Sequence, residues 1–137
     1  MNTVTANEPY LADVQQLASG NSDFRRVLNT TKLSQLVLMC VPAGGEIGTE
    51  IHSGTDQILA FVEGNGQAIF DGVRRAVAAG DVVVVPAGTQ HNFMADTGGA
   101  LKLFTIYTPP HHRPGTVHVT KADADADTSD RYSSEAK

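Results

Sequence analysis

The sequence predicts an all-β fold, a small barrel or sandwich preceded by one short helix. Short runs rich in Val, Leu, Ile and Phe recur between residues 24 and 108. They are parted by turn signals such as Gly44-Gly45, Gly64-Asn65-Gly66 and Asp71-Gly72, which is the spacing of strands in a sandwich or barrel. The chain has 137 residues, enough to bury one core and too few for two domains of ordinary size.

In order along the chain, residues 1–9 are polar and expected to be loose. Tyr10, Leu11, Val14 and Leu17 then recur at helical steps without Pro or Gly, which predicts a short helix closing near Gly20. Residues 24–30 and 32–41 read as strands, ended by Pro42. Residues 47–52 and 57–63 read as a pair joined by the turn at 53–56, with Gly64-Asn65-Gly66 as the next turn. Asp71-Gly72 links strands at 67–70 and 73–78, and Arg74-Arg75 after it is expected to face solvent. The run at 81–85 is apolar enough that burial on both faces is expected. Strands at 91–95 and 101–108 follow, giving nine or ten in all, and Pro109-Pro110 stops the sheet. Residues 111–118 form an irregular return. The domain plan is therefore a polar segment and helix at 1–23, a β domain at 24–118, and an acidic tail at 119–137, expected to be disordered or a frayed helix because it holds too little apolar surface to offset the entropy of ordering.

Composition narrows the function. A formal net charge of −5, with only ten dispersed Lys and Arg, argues against a nucleic-acid surface. Cys40 is the only cysteine, so intramolecular disulfides and multi-cysteine zinc sites are excluded, and its place in an apolar strand marks it as a small buried hydrophobe. The N-terminus has neither a basic start nor an apolar core, and no run is long enough to cross a bilayer as a helix. The expectation is a cytoplasmic protein with no membrane partner.

Chemistry concentrates in two stretches, 44–64 and 80–95. On a strand, residues two apart share a face, so Glu50 and His52 look the same way. The turn at 53–56 returns the chain beside them, and alternation lets only one of Asp56 and Gln57 look inward. In the first stretch Gly44 is followed after five residues by Glu50, then by His52, Gln57 and Gly64; in the second Gly80 is followed after five residues by Pro86, then by Gly88 and His91. These spacings resemble the two motifs of the cupin superfamily, Gly, five residues, His-x-His, three or four residues, Glu, six residues, Gly, and Gly, five residues, Pro-x-Gly, two residues, His, three residues, Asn. Three identities depart from the pattern: Glu50 stands for the first His, Gln57 for Glu and Ala95 for Asn.

The resemblance implies a jelly-roll (double-stranded β-helix) barrel and selects Gln57 over Asp56, so that Glu50, His52, Gln57 and His91 would hold one divalent transition metal per chain. Two imidazoles and a carboxylate suit non-haem Fe, and the set accommodates Mn, Zn, Ni or Co as well. If the alternation continues, Leu59, Phe61, Phe93, Leu103, Thr105 and Tyr107 face the substrate pocket, although each could equally be barrel core; Tyr107 is the one candidate proton donor. His111, His112 and His118 lack regular spacing and a nearby carboxylate, and a surface or capping role is expected. The resemblance implies a metal-dependent enzyme acting on a small oxygen-rich molecule, of dioxygenase, isomerase, decarboxylase or lyase type. The rival is a non-catalytic module binding a sugar or carboxylate. A homodimer formed through barrel edge strands is expected in either case.

Overall fold

A computed structural model describes residues 8–131. The helix α1 (Val14–Ser19) is shorter than expected and starts at Asp13, whose side chain accepts a hydrogen bond from the Gln16 amide at 3.1 Å. Tyr10, Leu11 and Leu17 are exposed and Ala18 is the buried residue, because a helix of this length sets down only one small side chain on the sheet.

Nine strands follow: β1 (Arg25–Thr30), β2 (Gln35–Val41), β3 (Asp56–Glu63), β4 (Asn65–Phe70), β5 (Val73–Ala78), β6 (Val82–Val85), β7 (His91–Ala95), β8 (Leu101–Thr108) and β9 (Val117–His118). They form a six-stranded sheet ordered β6-β3-β8-β2-β1-β9 and a three-stranded sheet ordered β5-β4-β7. All pairings are antiparallel. Alternation is regular on β3 and β8, where Leu59 and Phe61, and Leu101, Leu103, Thr105 and Tyr107, point inward and are buried. Phe93 and Ala68 reach the same core from the smaller sheet, so the apolar centre lies between the two layers. Cys40 is buried as expected, and burial pushes its thiol pKa up.

Four expectations are corrected. Residues 47–52 are not a strand: the main chain bonds β7 at Ile47 and again at Glu50, but between them Gly48 adopts φ +113°. Four steps from Glu46 to Glu50 oppose three from Met94 to His91, so one residue bulges out. In the Gly64-Asn65-Gly66 segment only Gly64 turns, with φ +95°, while Asn65 and Gly66 already belong to β4.

The run at 81–85 is not buried on both faces. Val82 is 63% and Val84 61% exposed, because β6 is an edge strand whose outward side nothing among the described residues covers. Finally, of the disorder or frayed helix expected for the tail, its described part shows a helix, but one that is tied down: α2 (Lys121–Ala126) is capped by Thr120, and residues 127–130 fold back onto the return segment. Arg74 and Arg75 are exposed on β5 as expected.

Candidate metal centre

Each candidate ligand is fixed by its own main-chain geometry. The bulge at Gly48 is pinned by Asn92, whose Oδ1 accepts the Gly48 amide at 2.8 Å and whose Nδ2 donates to Glu46 Oε1 at 2.7 Å. Beyond it, Glu50 and His91 exchange both main-chain bonds at 2.9 Å, which sets them side by side as a ladder pair along β7. The His52 carbonyl accepts the Gly88 amide at 2.9 Å, tying the first motif to the Pro86–Gly88 turn of the second. Gln57 lies on β3 between Val85 of β6 and Tyr107 of β8, facing inward.

Glu50, His52 and His91 each offer a ligand atom within 4.8 Å of the others. The imidazole of His91 donates from Nδ1 to the Thr89 carbonyl (2.9 Å), which leaves a lone pair on Nε2. That atom is buried and has no hydrogen-bond partner, and the same holds for His52 Nε2 and Gln57 Oε1. His52 Nε2 does approach Glu50 Oε1 at 3.3 Å, within ion-pair range but without hydrogen-bond alignment. Gln57 spends its NH2 group on Thr105 Oγ1 (3.1 Å) and Tyr107 OH (3.2 Å), so its oxygen is the end left over.

Two buried acceptors without donors, His91 Nε2 and Gln57 Oε1, together with an unpartnered His52 nitrogen beside a carboxylate, are expensive unless a cation satisfies them. The cluster of Glu50, His52 and His91 therefore fits a divalent metal ion, and the unpartnered Gln57 oxygen is the further candidate donor. Burial would push the Glu50 carboxyl up, but the His52 imidazole beside it and the charges of Arg25 and His111 outweigh burial and hold its pKa low. The Glu50 side chain remains 34% exposed, which marks the open side of the centre.

The expected pocket residues divide. Tyr107 meets the His52 ring edge-on at 5.9 Å, and Phe93 lies 6.0 Å from His91. Thr105 touches the centre only through Gln57, and Leu59, Phe61 and Leu103 are packed in the core. The Tyr107 phenol is buried and its pKa is pushed well up by burial.

Of the surface or capping role expected for the three later histidines, the surface alternative is overturned, since none of the three is exposed. His111 is half-buried with its ring 4.2 Å from that of His52 and stacked on Tyr107 at 5.4 Å. His112 and His118 are buried, and the carboxylates absent from their sequence neighbourhood come from the tail: His112 Nδ1 pairs with Asp130 at 2.8 Å, and His118 Nε2 with Asp127 at 2.9 Å. Hydrogen bonding to His118 and Ser129 brings Asp127 down to about 2. Burial lowers His111 to about 4, with the neighbouring His112 and His52 adding to the effect. Sequence reasoning also missed Asn92 and Gln35, for which single-chain patterning carries no signal.

The comparisons with known proteins fall in line with this geometry. The family model described as the cupin domain matches residues 37–107, more than half of the chain. The chain is a cupin. The uncharacterized protein YrkC of Bacillus subtilis is 39% identical over 123 residues, covering 85% of this cupin and 66% of YrkC, so the chain spans about two thirds of that relative. The crystal structure of BH2720 from Bacillus halodurans superimposes with a TM-score of 0.87 at 36% identity, covering 91% of this cupin and 99% of that chain. A structure described as a predicted oxalate decarboxylase from Thermotoga maritima matches with a TM-score of 0.53 at 25% identity, over 57% of this chain and 68% of that one. No helix among the described residues is long and apolar enough to cross a membrane.

Proposed function

We propose that this cupin is a mononuclear metal enzyme acting on a small oxygen-rich anion, a carboxylate or enolate, by dioxygenase, isomerase, decarboxylase or lyase chemistry. The observation that carries the reading is the convergence of Glu50, His52 and His91, with Nε2 of both imidazoles buried and unpartnered; the unpartnered, inward-facing Gln57 oxygen supports it. A divalent ion bound there, whether Fe, Mn, Zn, Ni or Co, supplies Lewis-acid polarisation of a substrate oxygen. Because Glu50 is the one anionic donor, the loaded centre keeps a net positive charge, and an anion is the favoured guest. The likeness to a predicted oxalate decarboxylase supports the carboxylate class.

The chain's own residues do the positioning. The Thr89 carbonyl fixes the His91 tautomer, the Asn92 clamp fixes the bulge that aims Glu50, and Thr105 and Tyr107 orient the Gln57 amide. Phe93 and the core beneath it keep water from the inner side. Binding without turnover is the second reading, and Tyr107 favours it: its oxygen is engaged with Gln57 and its proton is tightly held, so it is a poor acid. Elemental analysis of protein purified without added metal tests the first reading. About one equivalent of a transition metal is expected, and less than about a tenth refutes it. Turnover of any small carboxylate by the loaded protein separates enzyme from binding module.

We also propose that the working form is a homodimer joined through the outward face of β6-β3-β8. Val84, Ile58 and Ile106 form one cross-strand row there, and Val82, Ala60 and Phe104 the next, with no charged side chain in either. Two chains that each carry a net charge of −5 repel elsewhere, and a two-fold contact through these rows brings no like charges together.

A further inference from the structure

Gln35 is 1% exposed, and its amide is fully used. Oε1 accepts the main-chain amides of His111 (3.1 Å) and His112 (2.9 Å), while Nε2 donates to Thr30 Oγ1 (3.0 Å) and the His112 carbonyl (2.7 Å). Two lone pairs and two hydrogens all have partners, so the 111–112 peptide is pinned to β2 from inside the barrel. The pin delivers the His111 ring onto Tyr107, with the two planes 22° apart, and against His52.

Of the rings around His111, Tyr107 is held by Gln57 and His112 by Asp130, while His52 belongs to the candidate metal cluster. The ring nitrogens of His111 take part in no hydrogen bond among the described residues, and the ring is half-buried. His111 also lies outside the group whose ligand atoms fall within 4.8 Å of one another. It stands beside the metal donors rather than among them, next to the partly exposed Glu50.

We propose that His111 is the ligand-contacting residue at the mouth of the metal centre, and that Gln35 is the positioning residue that holds it there. The inference rests on the metal reading above and narrows the guest to a small molecule with two neighbouring oxygens, one for the metal and one for the imidazole N–H. A dicarboxylate or 2-oxo acid has this form.

The test uses the full chain loaded with Mn(II) and oxalate as the probe, with metal uptake and oxalate binding measured separately by electron paramagnetic resonance. His111→Phe keeps a ring on Tyr107 and removes both nitrogens. It is expected to leave Mn(II) affinity within about twofold and to weaken oxalate by about tenfold or more, the scale of one hydrogen bond to a charged acceptor. His111→Gln, which restores a donor, recovers part of the loss. Gln35→Met is expected to weaken oxalate with Mn(II) binding retained, because the 111–112 peptide is unpinned while Glu50, His52 and His91 stay in place; circular dichroism checks that each variant is folded. Oxalate binding that ignores His111→Phe, or that is absent in the loaded wild type, overturns the assignment. A tenfold loss of Mn(II) in His111→Phe also overturns it, since His111 would then be a metal ligand. A wild type that takes up no metal sinks the proposed function and this inference together, whereas the other outcomes sink only the inference.

Discussion

Replacing Gln57 by Met separates the metal role of this side chain from its structural one. Met fills a similar volume, and the site is buried, so packing is nearly conserved. Three polar changes remain. The orphaned Oε1 is removed, which returns about 1 to 3 kcal/mol to the metal-free protein. Thr105 loses the bond from Gln57 but still donates to the Ile58 carbonyl at 2.8 Å, a loss of about 1 kcal/mol. The buried Tyr107 hydroxyl loses its partner, at about 1 to 3 kcal/mol. These nearly cancel, so the metal-free variant is expected to lie within about 2 kcal/mol of wild type, a shift of a few degrees in Tm. Metal affinity, in contrast, is expected to fall by about tenfold or more, because the proposed fourth donor is gone. Chemical denaturation of the chelator-treated proteins and competitive Zn(II) or Mn(II) titrations read the two effects. An affinity within twofold of wild type refutes the donor role of Gln57, and a loss of more than about 4 kcal/mol without metal refutes the hydrogen-bond accounting.

Three further outcomes follow from other parts of the molecule. A methyl group added at Gly66 would collide with the Met94 carbonyl oxygen across the β4–β7 ladder, so Gly66→Ala is expected to cost about 2 to 4 kcal/mol, read as a drop in Tm; an unchanged melt refutes the close approach. In the metal-free protein burial holds the His112 pKa below 6.5, so the unfolded chain binds the proton that the folded chain refuses, and stability falls as pH drops below that value. Burial works against the Asp130 carboxylate, but its bond to His112 holds its pKa low, which adds a second loss as pH falls below 3.8; denaturant midpoints that stay flat between pH 7 and pH 5 contradict the first step. Sedimentation at micromolar concentration is expected to show a dimer that Val84→Lys converts to a folded monomer, since a two-fold contact meets the new charge twice; a monomeric wild type rules the interface out.

The fold was legible wherever alternation or turn chemistry dominates. The inward rows of β3 and β8 and the Asp71-Gly72 hairpin could be read from period and composition alone. Val82 and Val84 could not, because an apolar run does not say whether its strand is central or at an edge. The Gly48 bulge was hidden by a pattern that looks continuous, yet it leaves Glu50 and His52 on one side because both lie beyond it. At the centre, motif spacing brought out Glu50, His52, Gln57 and His91, whereas His111 and Gln35 reach the same place through a return segment and a contact between residues far apart in sequence. The pairing of His112 and His118 with Asp130 and Asp127 was invisible for a related reason: charge-rich composition argues against order until the buried imidazoles that receive the carboxylates are known.

The return clamp has a consequence for the order of events during synthesis. Every candidate donor, from Glu50 to His91, has left the ribosome well before Asp127 and Asp130, the carboxylates that fasten the segment carrying His111. Once β8 has emerged, a nascent barrel can therefore stand for a time with the mouth of the candidate centre unfastened, until the tail carboxylates arrive. Metallation that is rapid on the growing chain and slow on the finished protein is the kinetic signature such an order would leave.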